Sequence, residues 1–185
     1  MTKFIVLMRG INVGGKNKIA MAELRRRLEQ QGFEAVETYI QSGNVVLRSD
    51  LDAAALGPAV ETLLSQSFEL DTSLIKTLVL KVEQLQAVVD EKPAGFGEQP
   101  DTYHSDVIFL MGIDPTEALP AFDPREGVDQ IWPGHGVIYS QRLSALRTRS
   151  RLSRIAGFPA YKSMTIRSWS TTTKLLSLAQ RDDRA

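Results

Sequence analysis

The sequence predicts an α+β fold: two ferredoxin-like (split β-α-β) halves with mainly antiparallel sheets, plus a C-terminal helix. Three observations lead there. Over residues 1–82, strand-like apolar runs alternate with segments of helical period in the order β-α-β-β-α-β. A turn signal at Ser42-Gly43 joins the second and third strand-like runs, which makes them an antiparallel hairpin. The same element order then recurs in residues 106–185, although identity between the two halves is negligible. The domain reading is an N-terminal half at 1–82, a connector helix and loop at 83–105, and a C-terminal α+β half at 106–185.

Each element follows from its residues. FIVLMRG (4–10) is a strand that leads through a glycine-rich loop into a helix over about 20–31. Met21, Leu24 and Leu28 fall on one face of that helix, Arg25–Arg27 lie mostly off it, and Gly32 ends it. VETYIQ and NVVLRS are β-rich runs on either side of Ser42-Gly43. Asp50 or Asp52 caps a helix running to about Phe68, with Gly57-Pro58 as the point where it would break or restart. LIKTLVLK (74–81) closes the half. A helix at 83–91 and the Gly- and Pro-rich KPAGFGEQPD form the connector. The second half reads as strand DVIFLMG, a short helix after Asp114-Pro115, strand VDQIW, turn PGHG and strand VIYSQ. A basic helix around 142–156, a strand around 164–168 and a last helix from about Ser170 complete it.

At 185 residues with 43% apolar content, the chain has enough material for its own core, and its net charge of zero gives no general attraction for nucleic acid or an anionic membrane. The absence of cysteine excludes disulfides, thiolate metal sites and a cysteine nucleophile. The apolar run Phe4–Met8 is too short for a signal core and no segment reaches membrane-span length, so the expectation is a cytoplasmic protein with no membrane partner. Charge is nevertheless segregated: residues 50–126 carry fifteen acids against four bases, whereas residues 142–181 carry nine bases and no acid. The two regions either neutralise each other, within one fold or across a dimer, or leave a positive patch. Monomer and homodimer both fit.

The motif with most chemical content lies at the first strand's end. Gly10 to Asn17 spell G-x-x-x-x-G-K-N, which is one hydroxyl short of a nucleotide-hydrolysing phosphate loop. Asn17 stands where a Ser or Thr would hold magnesium, the hairpin implies an antiparallel sheet, and the nearest second acid, Asp114, is separated from its strand. These features argue against NTP hydrolysis. The split topology instead places the ends of strands one and two on the same rim, so Arg9–Lys18 and Gln41–Asn44 become neighbours. There Gly14, Gly15 and their amides, with Arg9, Lys16 and Lys18 beside a helix start, suit an anion. Asn12, Gln41, Ser42 and Asn44 add polar side chains. The plainer alternative is a glycine turn with solvated lysines, in which Asn12 and Asn44 close local turns.

RGINVGGKNKIAMAEL together with YIQSGNVV closely resembles the DUF1697 family, a group of bacterial proteins of unknown function. The resemblance extends to DVIFL, as a central strand, and to TIRSWSTTTKL, which fits a T-x-R-N-W-N-T pattern followed by K-L. Ser168 and Ser170 stand where the family commonly has Asn. RLSALRTRSRLSRIAGF is more arginine-rich than the family pattern, which tends to carry Ser-Lys and Glu-Lys pairs there. If those positions hold a ligand in relatives, the departures imply a variant of it here. The resemblance implies a two-part, ferredoxin-flavoured α+β fold and supplies no activity, cofactor or catalytic residue.

A second cluster, Arg167, Trp169, Thr171 and Lys174, falls at the entry to the last helix, whose first turn lacks the Asp or Glu that helix starts favour. It reads either as an anion site with Trp169 for stacking, or as Ser170 capping the helix with Trp169 in the core and Arg167 paired to an acid. His104 and His135 are the only histidines, and no residue cluster has metal-ligand spacing, so no metal is expected. Asp101, Asp106 and Asp114 read as capping or solvated, and Tyr103 and Tyr139 as packing residues. Catalytic residues and cofactors stay unassigned, as does whether the protein is an enzyme. The favoured function is binding of a phosphorylated or otherwise anionic small molecule at the glycine-rich rims. The alternatives are nucleic-acid binding through the basic C-terminal helix, with Arg142, Arg147, Arg149, Arg151 and Arg154 on phosphates, or an enzyme acting on a phosphorylated metabolite.

Overall fold

The computed structural model describes residues 1–72 and 75–181. The chain divides into two compact units: Met1–Gln86 together with the segment from Lys174 onward, and Ala87–Thr173.

The first unit runs β1 (Thr2–Met8), α1 (Met21–Gln30), β2 (Glu34–Tyr39), β3 (Asn44–Ser49), α2 (Ala53–Ser67) and β4 (Thr77–Lys81). The sheet order is β2-β3-β1-β4 with every neighbouring pair antiparallel, the split β-α-β arrangement expected from the element order. Strand residues alternate between faces, so Phe4, Val6 and Met8 of β1 join Val45 and Leu47 of β3 in one apolar surface. Leu24 and Leu28 of α1 and Leu56, Val60 and Leu64 of α2 cover it. Each such buried side chain contributes roughly 1.5–3 kcal/mol relative to exposure.

Two details depart from the residue-by-residue expectation. Strand β1 stops at Met8, because Gly10 takes φ +83° and turns the chain out of the sheet. Helix α2 does not break at Gly57-Pro58: Asp52 caps it through its bond from the Ala55 N–H, and β4 ties to the Gly57 turn through Thr77 Oγ1, which donates to the Gly57 carbonyl at 3.1 Å. The Glu61 carboxylate also accepts from the Thr77 amide, at 2.7 Å. Of the predicted strand at 74–81, Leu74 lies outside the described residues.

Beyond α3 (Val82–Asp90), the second unit holds β5 (Tyr103–Leu110), α4 (Pro115–Ala118), β6 (Asp129–Pro133), β7 (Val137–Leu143) and β8 (Met164–Ser168), and α5 (Trp169–Ala179) follows. Its sheet order, β6-β7-β5-β8, repeats the first element for element, again wholly antiparallel. The duplication read from element order is thus present in the topology. One expectation fails. No basic α-helix spans 142–156; β7 runs on to Leu143 and the chain then forms 3-10 turns at Ser144–Arg149, Leu152–Gly157 and Pro159–Ser163. Asp129 fixes this path, since its Oδ2 accepts from the Arg151 amide at 2.9 Å and the Arg125 amide at 3.0 Å.

Among the described residues no helix is long and apolar enough to cross a membrane, and no group of three acidic or histidine side chains could hold a metal ion.

Candidate functional site

The two bends of the first unit meet, as the crossover argument requires. The Met8 amide donates to the Gly43 carbonyl at 2.8 Å, and Asn12 Nδ2 donates to the Gln41 carbonyl, also at 2.8 Å. Asn12 is the joint. The same Nδ2 reaches the Ile19 carbonyl at 2.9 Å, while Oδ1 accepts from the Ile19 amide at 2.8 Å. Its amide therefore spans the loop and pins it to the connector. Asn12 itself sits at φ +53°, a left-handed conformation that asparagine tolerates better than most residues.

Asn17, the residue in the place of the phosphate-loop hydroxyl, is buried and structural. Its Nδ2 donates to the Gly10 carbonyl at 2.8 Å and to Thr72 Oγ1 at 3.0 Å, and its Oδ1 accepts from the Thr72 amide at 3.2 Å. Its own amide is taken by Asp71 Oδ2 at 2.5 Å. One loop amide therefore already carries an anionic partner from within the chain. Asn44, fully buried, donates to the Tyr39 carbonyl at 3.0 Å and to Ser42 Oγ at 2.9 Å. Three asparagines thus hold the rim's shape.

What remains directed outward is the turn at Val13–Lys16, closed by the Lys16 amide on the Val13 carbonyl at 3.0 Å. Gly14 and Gly15 are exposed at φ +59° and +76°, and their amides have no hydrogen-bond partner among the described residues. Lys16 and Lys18 are exposed and form no ion pair among the described residues. Arg9, half-buried, anchors the other side of the loop through its amide on the Lys76 carbonyl at 2.8 Å. The connector carries backbone strain: Ile40, a β-branched residue, takes φ +48° and is half exposed. The start of α1 adds little for an anion, since Glu23 occupies its first turn, where Arg26 and Arg27 hold its pKa down at about 2.

The second predicted cluster is arranged differently. Ser168, two residues before the expected Ser170, caps α5 by accepting from the Thr171 amide at 3.2 Å. The threonine hydroxyls turn inward: Thr172 Oγ1 donates to the Ser168 carbonyl and Thr173 Oγ1 to the Trp169 carbonyl, at 3.0 and 3.1 Å. Trp169 packs edge-on against Phe96, with ring centres 5.3 Å apart, and lies so close to Gly97 that a Cβ there would meet the indole at 2.2 Å. Arg167 is buried in β8, donating from Nη1 to Thr165 Oγ1 at 2.9 Å and to the Ile166 carbonyl at 2.8 Å, and burial pulls its pKa down to about 10. Lys174 lies beyond the hydroxyl turn, in the part of α5 that belongs to the first unit.

Several single residues also find their places. Asp114 caps α4 in a capping box with Glu117. Tyr139 is a packing residue whose hydroxyl donates to the Val88 carbonyl at 2.7 Å. Asp106 does not cap or face open solvent: it lies within β5 and pairs with His104 Nε2 at 3.0 Å. The i, i+2 spacing of His104 and Asp106 is the signal that would have exposed this pair, had the strand been extended back past Asp106. In the basic segment, Arg151 and Arg154 both bind Asp123, at 3.0 and 3.1 Å, so two of the five arginines proposed for phosphates already have a carboxylate.

No curated protein matches the sequence. Among solved structures, the conserved bacterial protein SP0830 from Streptococcus pneumoniae is similar over 97% of this chain and 99% of its own, at 27% identity and a TM-score of 0.79. The glycine-rich rim, its asparagine clamps and the whole first sheet fall within residues 1–139, which match the family described as DUF1697, protein of unknown function; the chain belongs to that family.

Proposed function

We propose that the protein binds a phosphorylated or otherwise anionic small molecule at the rim formed by the Arg9–Lys18 loop and the Gln41–Asn44 connector. The observation that carries this reading is the exposed Gly14-Gly15 turn, whose amides have no hydrogen-bond partner among the described residues and which leads directly into the exposed Lys16 and Lys18. Convergent main-chain N–H groups beside cations form an anion cradle that requires no particular side chain at the contact. Asn12, Asn17 and Asn44 then act as positioning residues, because their amide groups are spent on the loop and connector. The strained Ile40 supports a functional assignment for the same rim, since left-handed β-branched residues persist where the surroundings hold them. The inward-facing hydroxyls at the start of α5 favour capping there, so the proposal rests on the first rim alone.

The test is thermal unfolding in inorganic phosphate and pyrophosphate against chloride at matched ionic strength. Binding to the folded state stabilises by about 2.7 kcal/mol at a hundredfold excess over Kd. The expected result is a phosphate-specific rise in Tm that Lys16→Ala and Arg9→Ala remove. An equal rise in those variants, or no rise, contradicts the proposal.

A further inference from the structure

The sheet of the second unit is covered less fully than its counterpart within the first unit. In the first unit, α1 and α2 cover one face of the sheet. The corresponding face of the second sheet, with Ile108, Ile138, Met164 and Ile166, is covered by the four-residue α4 and by the 3-10 turns at Leu119–Ala121, Leu152–Gly157 and Pro159–Ser163. Such short, tightly wound pieces cannot lay a continuous apolar stripe on a sheet. A cavity of about 290 Å³ remains, walled by Ile108, Phe122, Leu152 and Ile155.

One end of that cavity is polar. Asp106 on β5 stands opposite Ser140 on β7, and His104 stands opposite Arg142 two pairs further along, which puts all four on the same face. Asp106 accepts from His104 through Oδ2, and its Oδ1 has no hydrogen-bond partner among the described residues. Burial pushes the Asp106 pKa up, while the charges of His104 and Arg142 oppose that rise. The Arg142 side chain forms no hydrogen bond or ion pair among the described residues. Asp129 stands opposite it on β6, with Oδ2 held by two backbone amides and a buried Oδ1 that has no hydrogen-bond partner among the described residues.

A carboxylate and a guanidinium at diagonal positions on one sheet face, lining the same apolar-floored cavity, select a particular chemistry. A hydrocarbon would strip water from both charges without replacing it. A ligand of one sign would satisfy one group and be repelled by the other. We propose that the cavity binds a small zwitterion with an apolar body, the chemistry of a free α-amino acid bearing a branched or aromatic side chain. Its ammonium lies on Asp106, its carboxylate on Arg142 and its side chain among Ile108, Leu152 and Ile155. The volume sits just below the lower end of the ~300–1,000 Å³ of small-molecule sites, which fits a ligand of that size.

The experiment is calorimetric titration of the full chain with L-leucine and L-phenylalanine, with methyl NMR of the isoleucines to locate the heat. N-acetyl-L-phenylalanine removes the ammonium, and L-phenylalanine methyl ester removes the carboxylate. The expected result is saturable binding with shifts at Ile108 and Ile155, weakened at least tenfold for either modified probe and for Arg142→Gln. No saturation by about 10 mM, tenfold above a ~1 mM Kd, overturns the proposal. Binding of the ester and the acetyl derivative as tightly as the parent overturns it equally, because the cavity would then be selecting only for bulk. Neither modified probe depends on a variant's folding.

Discussion

Asn12 Nδ2 and the Gln41 carbonyl oxygen lie 2.8 Å apart although their residues are 29 positions apart in sequence. This contact joins the glycine-rich loop to the hairpin connector, and it exists because the β1-α1-β2 crossover returns the chain to the same rim. Asn12→Ala removes two donated bonds and one accepted bond, and it places a plain Cβ at positive φ. At about 1 kcal/mol per net bond, the expected loss is roughly 3 kcal/mol, read from urea unfolding at unchanged m-value. Asn12→Asp is expected not to rescue, since it turns a carboxylate oxygen toward two carbonyls. A rescue would show that the donated bonds are dispensable.

Gly14 and Gly43 both take positive φ but differ in what surrounds them. A Cβ at Gly14 meets nothing within 4 Å, so Gly14→Ala is expected to cost only the left-handed penalty of about 1–2 kcal/mol. A Cβ at Gly43 would lie 2.8 Å from Ile11 Cδ1 and 2.9 Å from Met8 Cβ, within the core. Gly43→Ala adds overpacking, typically 1–3 kcal/mol, to the same backbone penalty. Equal losses at the two positions in denaturation curves would refute this account of the connector.

Ile40→Asn is expected to stabilise the fold. The exposed isoleucine gives up little buried surface, and asparagine adopts φ near +48° with less strain. A gain of about 0.5–1.5 kcal/mol follows if most of the left-handed penalty is recovered. A loss of stability would mean that the isoleucine side chain contributes packing of its own.

Burial pushes the Tyr139 phenol up to about 12, with the Glu91 charge adding to the shift. Because the folded state holds this proton more tightly than the unfolded chain, stability falls as pH rises from about 10 toward 12. Tyr139→Phe removes that part of the alkaline slope and forfeits the bond to the Val88 carbonyl. Relative to Tyr139→Phe, the wild type is therefore expected to lose stability across that window. Parallel curves for the two proteins would remove Tyr139 as the cause.

The residues differ in how openly they announce this structure. FIVLM, MAELRRRL and the VETYIQ–NVVLRS pair show their periods locally, and chain-crossing rules then bring Asn12 to Gln41. The stretch after β7 reads from sequence as a basic helix around 142–156, yet it folds as a series of 3-10 turns. Its serines compete for backbone groups, and Asp129, from another strand, captures the Arg151 amide. That second tie is tertiary, so no local pattern contains it. The roles of Asn12 and Asn44 were likewise ambiguous, because a side-chain amide that binds a ligand and one that binds a distant carbonyl look identical in sequence. The cavity above Ile108 arises from that helix-to-turn replacement and was hidden for the same reason.

The most direct test of the rim is a ¹H–¹⁵N NMR titration with inorganic phosphate at constant ionic strength. Saturable shifts centred on the Gly14, Gly15 and Lys16 amides, lost in Lys16→Ala, are the predicted result. Shifts scattered over the basic surface with no saturation, or none at these three amides, would contradict it.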